Sequence, residues 1–137
     1  MNYARVLLGG LVAGLLLNVG EWLLNGVVLA RQMKEFLAKC GLTPPAGSAL
    51  IILVVMTFLL GIVIVYVYAA IRPRFGPGVK TAIIAALIAW FCVYLYNNVG
   101  GAALGFVPMN MLVIILVWGF VEYSIAAIAG AWVYQEA

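Results

Sequence analysis

The chain has 137 residues, of which 68% are hydrophobic and 8% are charged, and its mean hydropathy is +1.23. Seven Lys or Arg and four Asp or Glu side chains cannot cover the surface of a water-soluble domain of this size. The composition therefore predicts a protein whose solvent is lipid. The basic residues form no continuous face, which argues against nucleic-acid binding.

Four apolar stretches are long enough to form helices that cross the hydrocarbon region, which takes about 20 residues. We expect these spans at residues 6–30, 49–71, 81–97 and 108–134. The predicted fold is an all-α integral membrane protein, a four-transmembrane-helix bundle in which residues 1–137 form a single domain surrounded by the lipid bilayer.

The first connection, "RQMKEFLAKCGLTPPAGS", predicts a short amphipathic interfacial extension after the first span. Apolar residues recur there at positions i, i+3, i+4 and i+7, and charged residues take the other face. Ser48 is expected to cap the second span and Pro73 to end it. The third connection, "NNVGGAALGFVP", carries no charge, so it is either a loop against the membrane surface or a segment covered by another protein.

The distribution of basic residues favours both termini on the cytoplasmic side. One side of the predicted bundle carries four Lys or Arg and the other carries three, so a dual or reversed topology is the open alternative. The two sets are Arg5, Arg72, Arg74 and Lys80 against Arg31, Lys34 and Lys39.

The first span carries a stripe of small and polar residues, spaced by four, four, three and four positions: Gly10, Gly14, Asn18, Glu21 and Asn25. Small residues allow another helix to approach closely, and asparagines hydrogen-bond across such contacts. The stripe is therefore expected to face protein. The simplest interpretation is a helix-packing seam.

Helix packing alone does not explain Glu21, because placing a charged side chain near the bilayer centre costs at least about 2.5 kcal/mol. We expect Glu21 to be protonated, or else to meet a cation, a water-filled cavity or a partner chain. Glu122 lies on a second small-residue stripe with Gly119 and Ala126, at a similar predicted depth. If the two carboxyl groups face each other, one shared proton is the expected state.

Asn18 and Asn25 would complete a polar pocket around Glu21. Tyrosines near the span ends, among them Tyr94 and Tyr96, are interpreted as interface anchors, with a role in lining a pathway as the alternative.

The sequence has no histidine, which excludes haem or copper bound through imidazole. It also lacks a nucleophile–base pair and a nucleotide-binding loop. We therefore predict no enzyme, no cofactor and no metal site. Cys40 and Cys92 are expected to be packing residues.

Two stretches, "NVGEWLLNGVVLA" and "YAAIRPRFGPG", resemble segments of uncharacterised four-span bacterial membrane proteins. The layout of four short spans with a glutamate in the first also resembles the small multidrug resistance transporters. That resemblance implies that Glu21 exchanges protons and cations. The pattern around Glu21 differs from that family, whose fourth span lacks an acid like Glu122.

These observations favour a small, non-catalytic accessory or assembly subunit of a bacterial inner membrane, which packs against other membrane proteins or against itself. The alternative is a proton- or cation-coupled transporter, a homo-oligomer, that uses Glu21, Asn18, Asn25 and Glu122.

Overall fold

The computed structural model describes residues 1–135, which contain helices and no strand. The helices are α1 (Tyr3–Leu23), α2 (Ala30–Lys39), α3 (Ser48–Phe75), α4 (Val79–Trp90), α5 (Tyr96–Ala103) and α6 (Met109–Val133). Two π-helical stretches, Leu24–Val28 and Phe91–Leu95, extend α1 and join α4 to α5. The described chain thus contains four helices that are long and apolar enough to cross a membrane: Tyr3–Val28, Ser48–Phe75, Val79–Ala103 and Met109–Val133. The predicted all-helical, four-helix architecture is confirmed.

Two helix ends differ from the predicted boundaries. α3 continues through Pro73 and ends two residues later, at Phe75. A proline in this last turn removes one backbone hydrogen bond of the helix. The third long helix continues to Ala103. Asn97 and Asn98 lie within this helix, and their side-chain amides donate to the carbonyls of Val93 and Tyr94 one turn earlier.

The beginning of α3 also differs from expectation. Ser48 is its first residue and makes no side-chain capping bond; the preceding Gly47 turns the chain with a φ of 57°. That conformation is readily available to glycine.

α2 has the predicted amphipathic character. Met33, Phe36 and Leu37 are half-buried, whereas the charged residues of the helix are exposed. On the exposed face Arg31 donates to Glu35 at 3.0 Å.

The bundle is packed most closely around glycines of α1. A Cβ atom on Gly10 would lie 2.4 Å from the Cα of Ile62, and one on Gly61 would lie 2.3 Å from the backbone nitrogen of Gly14. α1 also meets α6 here, where a Cβ on Gly9 would lie 2.5 Å from the carbonyl oxygen of Gly130. Backbones in such contact leave no room for any larger residue. We call this region the glycine end of the bundle.

Alanines form the buried face of α4. Ala82, Ala85 and Ala86 of α4 are buried, and α4 packs against α6 and α3. The indole N–H of Trp90 donates to the carbonyl of Leu116 at 3.0 Å and ties the end of α4 to α6. α1 and α4 each pack between α3 and α6, so they occupy opposite corners of the bundle.

Candidate functional site

The Glu21 carboxyl group lies between two neutral hydrogen-bond donors. The hydroxyl of Tyr94 donates a short hydrogen bond to Oε1, and Nδ2 of Asn25 donates to Oε2 at 3.0 Å. The same Asn25 amide also reaches the backbone carbonyl of Glu21 at 3.0 Å. Glu21 is partly exposed, so its carboxyl group is held but remains accessible. This contact joins α1 to the third long helix across the diagonal of the bundle.

Both halves of this contact lie beside π-helical backbone. In the first stretch the N–H of Leu29 bonds to the carbonyl of Leu24, and in the second the N–H of Tyr96 bonds to the carbonyl of Phe91. Asn25 lies within the first stretch and Tyr94 within the second. A π-helical turn adds one residue to an α-helix and redirects the side chains around it, and such turns occur frequently at functional sites.

Tyr94 is held by small and aromatic neighbours. Its side chain is 6% exposed, and its ring lies 5.2 Å from the ring of Tyr123 in an edge-to-face arrangement. Gly119 leaves the space for this ring, because a Cβ there would lie 2.4 Å from the Cδ1 atom of Tyr94. The ring is thereby fixed with its hydroxyl at Glu21. The interpretation of Tyr94 as an interface anchor is wrong, since the side chain is buried inside the bundle.

Glu122 occupies a different environment. It is 8% exposed and packs against Gly20, where an added Cβ would lie 2.6 Å from the Cδ atom of its carboxyl group. Neither carboxyl oxygen has a hydrogen-bond partner among the described residues. Nε1 of Trp118, one turn earlier, lies near this carboxyl without a hydrogen bond of normal geometry. Glu122 and Glu21 thus lie at the same level of α1 but do not bond to each other directly.

Asn18 is separate from both acids. Its side-chain amide donates to the carbonyl of Gly14 at 2.9 Å and, at 3.4 Å, to the carbonyl of Val54 on α3. It therefore connects α1 to α3. Of the polar residues predicted to surround Glu21, Asn25 is in direct contact, whereas Asn18 is not. Ala126 is fully buried, one turn after Glu122.

A groove of about 650 Å³ lies between α1 and α6, beside Glu122. One face of α1 forms its first wall with Leu16, Val19, Gly20 and Leu23. α6 forms the opposite wall, which is mainly valine and isoleucine together with Trp118 and Glu122. We call this space the α1–α6 groove. It combines an apolar lining with one carboxyl group.

The described part of the chain offers Glu21 and Glu122 no cationic partner; the ion pair found there is that of Arg31 with Glu35 on α2. Residues 1–135 also contain no cluster of three or more His, Cys, Asp or Glu side chains that could bind a metal ion. The chemistry that the site offers is that of carboxyl groups and phenols.

Three site residues were missed by the sequence reasoning: Gly20, Tyr94 as a bonding partner, and Tyr123. A usable signal was the stripe Trp90, Tyr94, Asn98, whose spacing of four places a polar and aromatic face on the third long helix. Comparison of the chain with protein-family models, curated proteins and solved structures gives no match. The site is therefore interpreted from its own geometry.

Proposed function

We propose that this chain is an integral membrane protein in which Glu21 binds and releases a proton or another small cation, as in a proton- or cation-coupled transporter. The proposal includes a bacterial inner-membrane location with both termini on the cytoplasmic side. Four long apolar helices support the membrane assignment. The observation that carries the function is the partly exposed Glu21 carboxyl group between Tyr94 and Asn25.

Because Tyr94 and Asn25 both donate to it, the Glu21 carboxyl group can hold either a proton or another small cation. When Glu21 is ionised, Tyr94 and Asn25 each donate to one of its oxygens. When a proton arrives at Oε1, the hydroxyl of Tyr94 can rotate and accept a hydrogen bond from it. A cation at the same oxygens would exclude that proton, and competition for one carboxyl group couples the two movements. An acid inside a membrane span is costly, so such residues usually mark ion pathways.

The test is the Glu21→Gln variant in proteoliposomes. It keeps the shape and the acceptor oxygen but does not titrate. We expect it to abolish the exchange of protons against Na⁺, K⁺ or tetraphenylphosphonium, measured with an internal pH-sensitive dye. Glu35→Gln is the matched control, because Glu35 lies on the exposed face of α2. Equal exchange by wild type and Glu21→Gln, or none by wild type, would contradict the proposal.

A second proposed function, the accessory or assembly subunit, is favoured by the first turns of α3. Every residue from 48 to 56 is exposed, and most are large aliphatic side chains. The side chains of this part of α3 are exposed, although Asn18 of α1 donates to the backbone carbonyl of Val54, and such a surface suits contact with a helix of another membrane protein or of a second copy.

Val55→Trp places a larger side chain on this surface, and Val63→Trp makes the same substitution on the other half of α3. The native valines are 51% and 53% exposed, so the two variants are matched. If the surface binds a partner, Val55→Trp alone removes a stoichiometric subunit from the complex purified in mild detergent. A chain that migrates as a single copy in wild type would contradict this function.

A further inference from the structure

A second cavity, of about 370 Å³, lies at the end of the bundle where α3 and α6 end and α4 begins. Arg72 lines it from the last turn of α3, and Tyr134 and Gln135 line it just beyond α6. We call this space the Arg72 cavity. All three helices belong to the long apolar helices of the bundle, so a cavity at their ends lies at the level of lipid headgroups.

Two buried tyrosines hold the guanidinium of Arg72 at this cavity. Its Cζ atom lies 5.6 Å from the ring centre of Tyr134, and that ring packs edge-to-face against Tyr68 at 6.0 Å. Both tyrosines are at most 3% exposed. A guanidinium has five N–H donors in a fork that matches the oxygens of a phosphate group, so it can bind one in addition to its other partners.

The first turn of α4 adds backbone donors. Gly78 and Val79 line the cavity, and no side chain of residues 1–135 caps the start of this helix. The hydroxyl of Thr81 donates instead to the carbonyl of Gly76 at 2.6 Å. The positive end of the α4 dipole is thus available to an anion.

The charge of this end is positive. Arg72 and Arg74 lie in the last turn of α3, and Lys80 lies in the first turn of α4. The ends of α3 and α6 each bring about half a negative charge, and the start of α4 brings about half a positive one. In the sequence the nearest acid is Glu136, two residues after Tyr134. Even with Glu136 counted, the basic side chains outweigh the negative groups, so an anion is attracted.

The deeper part of the cavity is apolar. Ala82 lines it one turn into α4, and Ile128 lines it five residues before the end of α6. Trp132 also lines it and is 74% exposed, as suits an indole at a membrane interface. The lining therefore fits an occupant with an anionic head and an apolar body.

We infer that the Arg72 cavity binds the phosphate group of an anionic glycerophospholipid. Arg72 and the start of α4 donate to the phosphate, and the acyl chains lie along Ile128 and Trp132. Free inorganic phosphate has the same head chemistry but would leave the apolar part of the cavity empty. A zwitterionic headgroup would bring a second cation to an end that is already positive. The inference goes beyond the proposed function, since it rests on the membrane assignment but not on Glu21 or on exchange.

The experiment is native mass spectrometry of the full chain in mild detergent, with dioleoyl phosphatidylglycerol and dioleoyl phosphatidylcholine at equal concentration. We expect one phosphatidylglycerol per chain, bound at least about tenfold more tightly than phosphatidylcholine. Arg72→Gln should weaken this binding about tenfold. Arg74→Gln is the matched control, because it removes the same charge from an exposed residue of the same helix end that does not line the cavity. It should weaken binding less than about threefold.

Two further variants separate the fork and the space from the charge. Arg72→Lys keeps the charge but loses the fork, so binding should fall by about threefold, and this variant decides the point even if Arg72→Gln does not fold. Val79→Trp fills the cavity from a position that is 48% exposed and should abolish binding, whereas Val63→Trp on α3 should bind as wild type does. Glu21→Gln should also retain the lipid, so binding and exchange can fail independently.

Four results would overturn the inference. The first is equal retention of the two lipids, and the second is wild-type binding by Arg72→Gln. An equal loss in Arg72→Gln and Arg74→Gln would indicate a diffuse attraction to the whole helix end. Displacement of phosphatidylglycerol by millimolar inorganic phosphate would identify the occupant as free phosphate.

Discussion

The glycine end of the bundle and the acid-containing region differ in how closely their helices approach. At the glycine end, α1 meets α3 and α6 backbone to backbone through Gly9, Gly10 and Gly14. About two turns later along α1, Leu16, Val19 and Leu23 face the α1–α6 groove. The same helix thus forms a closed contact at one level and an open one at the next. Close packing provides stability, and the open level provides room for polar chemistry.

The largest effect is expected from breaking the closed contact with Gly61→Ala. The added Cβ would lie 2.3 to 2.6 Å from backbone atoms of Gly10 and Gly14, which cannot move aside as a side chain could. We expect a loss of about 3 kcal/mol of stability, at the upper end for overpacking. Unfolding of the detergent-solubilised protein, followed by circular dichroism, measures it. Gly100→Ala is the control, since nothing lies within 4 Å of its added Cβ. Equal stability of Gly61→Ala and Gly100→Ala would show that α1 and α3 are not in close contact at Gly61.

A smaller loss is expected at the open level from Gly119→Ala. Its Cβ would meet the ring of Tyr94, a side chain that can shift but would then move away from Glu21. We expect about 1–2 kcal/mol of destabilisation, together with impaired proton–cation exchange. Gly100→Ala, whose added Cβ has no atom within 4 Å, should leave exchange intact. Normal exchange by Gly119→Ala would mean that the position of Tyr94 does not matter.

Tyr94→Phe removes one hydroxyl and preserves the packing against Tyr123. A hydrogen bond to a charged group contributes about 1.5–3 kcal/mol, so the carboxyl group of Glu21 should change its infrared stretching frequency when the bond is lost. Subtracting the spectrum of Glu21→Gln isolates that band, which also reports whether Glu21 is protonated at neutral pH. Tyr66→Phe, on an exposed side chain of α3, should leave the band unchanged. An unaltered band in Tyr94→Phe would argue against the bond.

The smallest effect on stability is expected from Gly20→Ala. Its Cβ would displace the flexible end of Glu122, at a cost of about 1 kcal/mol or less, because the displaced atoms belong to a side chain. Unfolding of the detergent-solubilised protein, followed by circular dichroism, measures this cost. Gly26→Ala is the control, since its Cβ would make only an ordinary contact with Trp22. A loss in Gly20→Ala as large as that in Gly61→Ala would show that the Glu122 side chain cannot move aside.

The sequence predicted the architecture well because apolar length alone specifies four long helices. It also placed Glu21 and Asn25 on one face, since their spacing of four residues brings their side chains together. The partner on the other helix could not be predicted in this way. Tyr94 reaches Glu21 only because Gly119 admits its ring and a π-helical stretch redirects it, and both depend on how separate helices pack. The same holds for Asn18, which shares the stripe with Glu21 but bonds to Val54 on α3.

The π-helical stretch Leu24–Val28 also sets the direction of α2. It holds one residue more than a regular α-helix with the same number of turns, so a single-residue deletion there would leave a regular helix and keep α2 in its present rotation. An insertion would instead rotate α2 by about 100° relative to α1, so that Met33 and Phe36 would turn away from their present side and the charged residues would take their place. Gain of one codon in this stretch would thus be more disruptive than its loss, although no side chain of the α1–α6 groove would change.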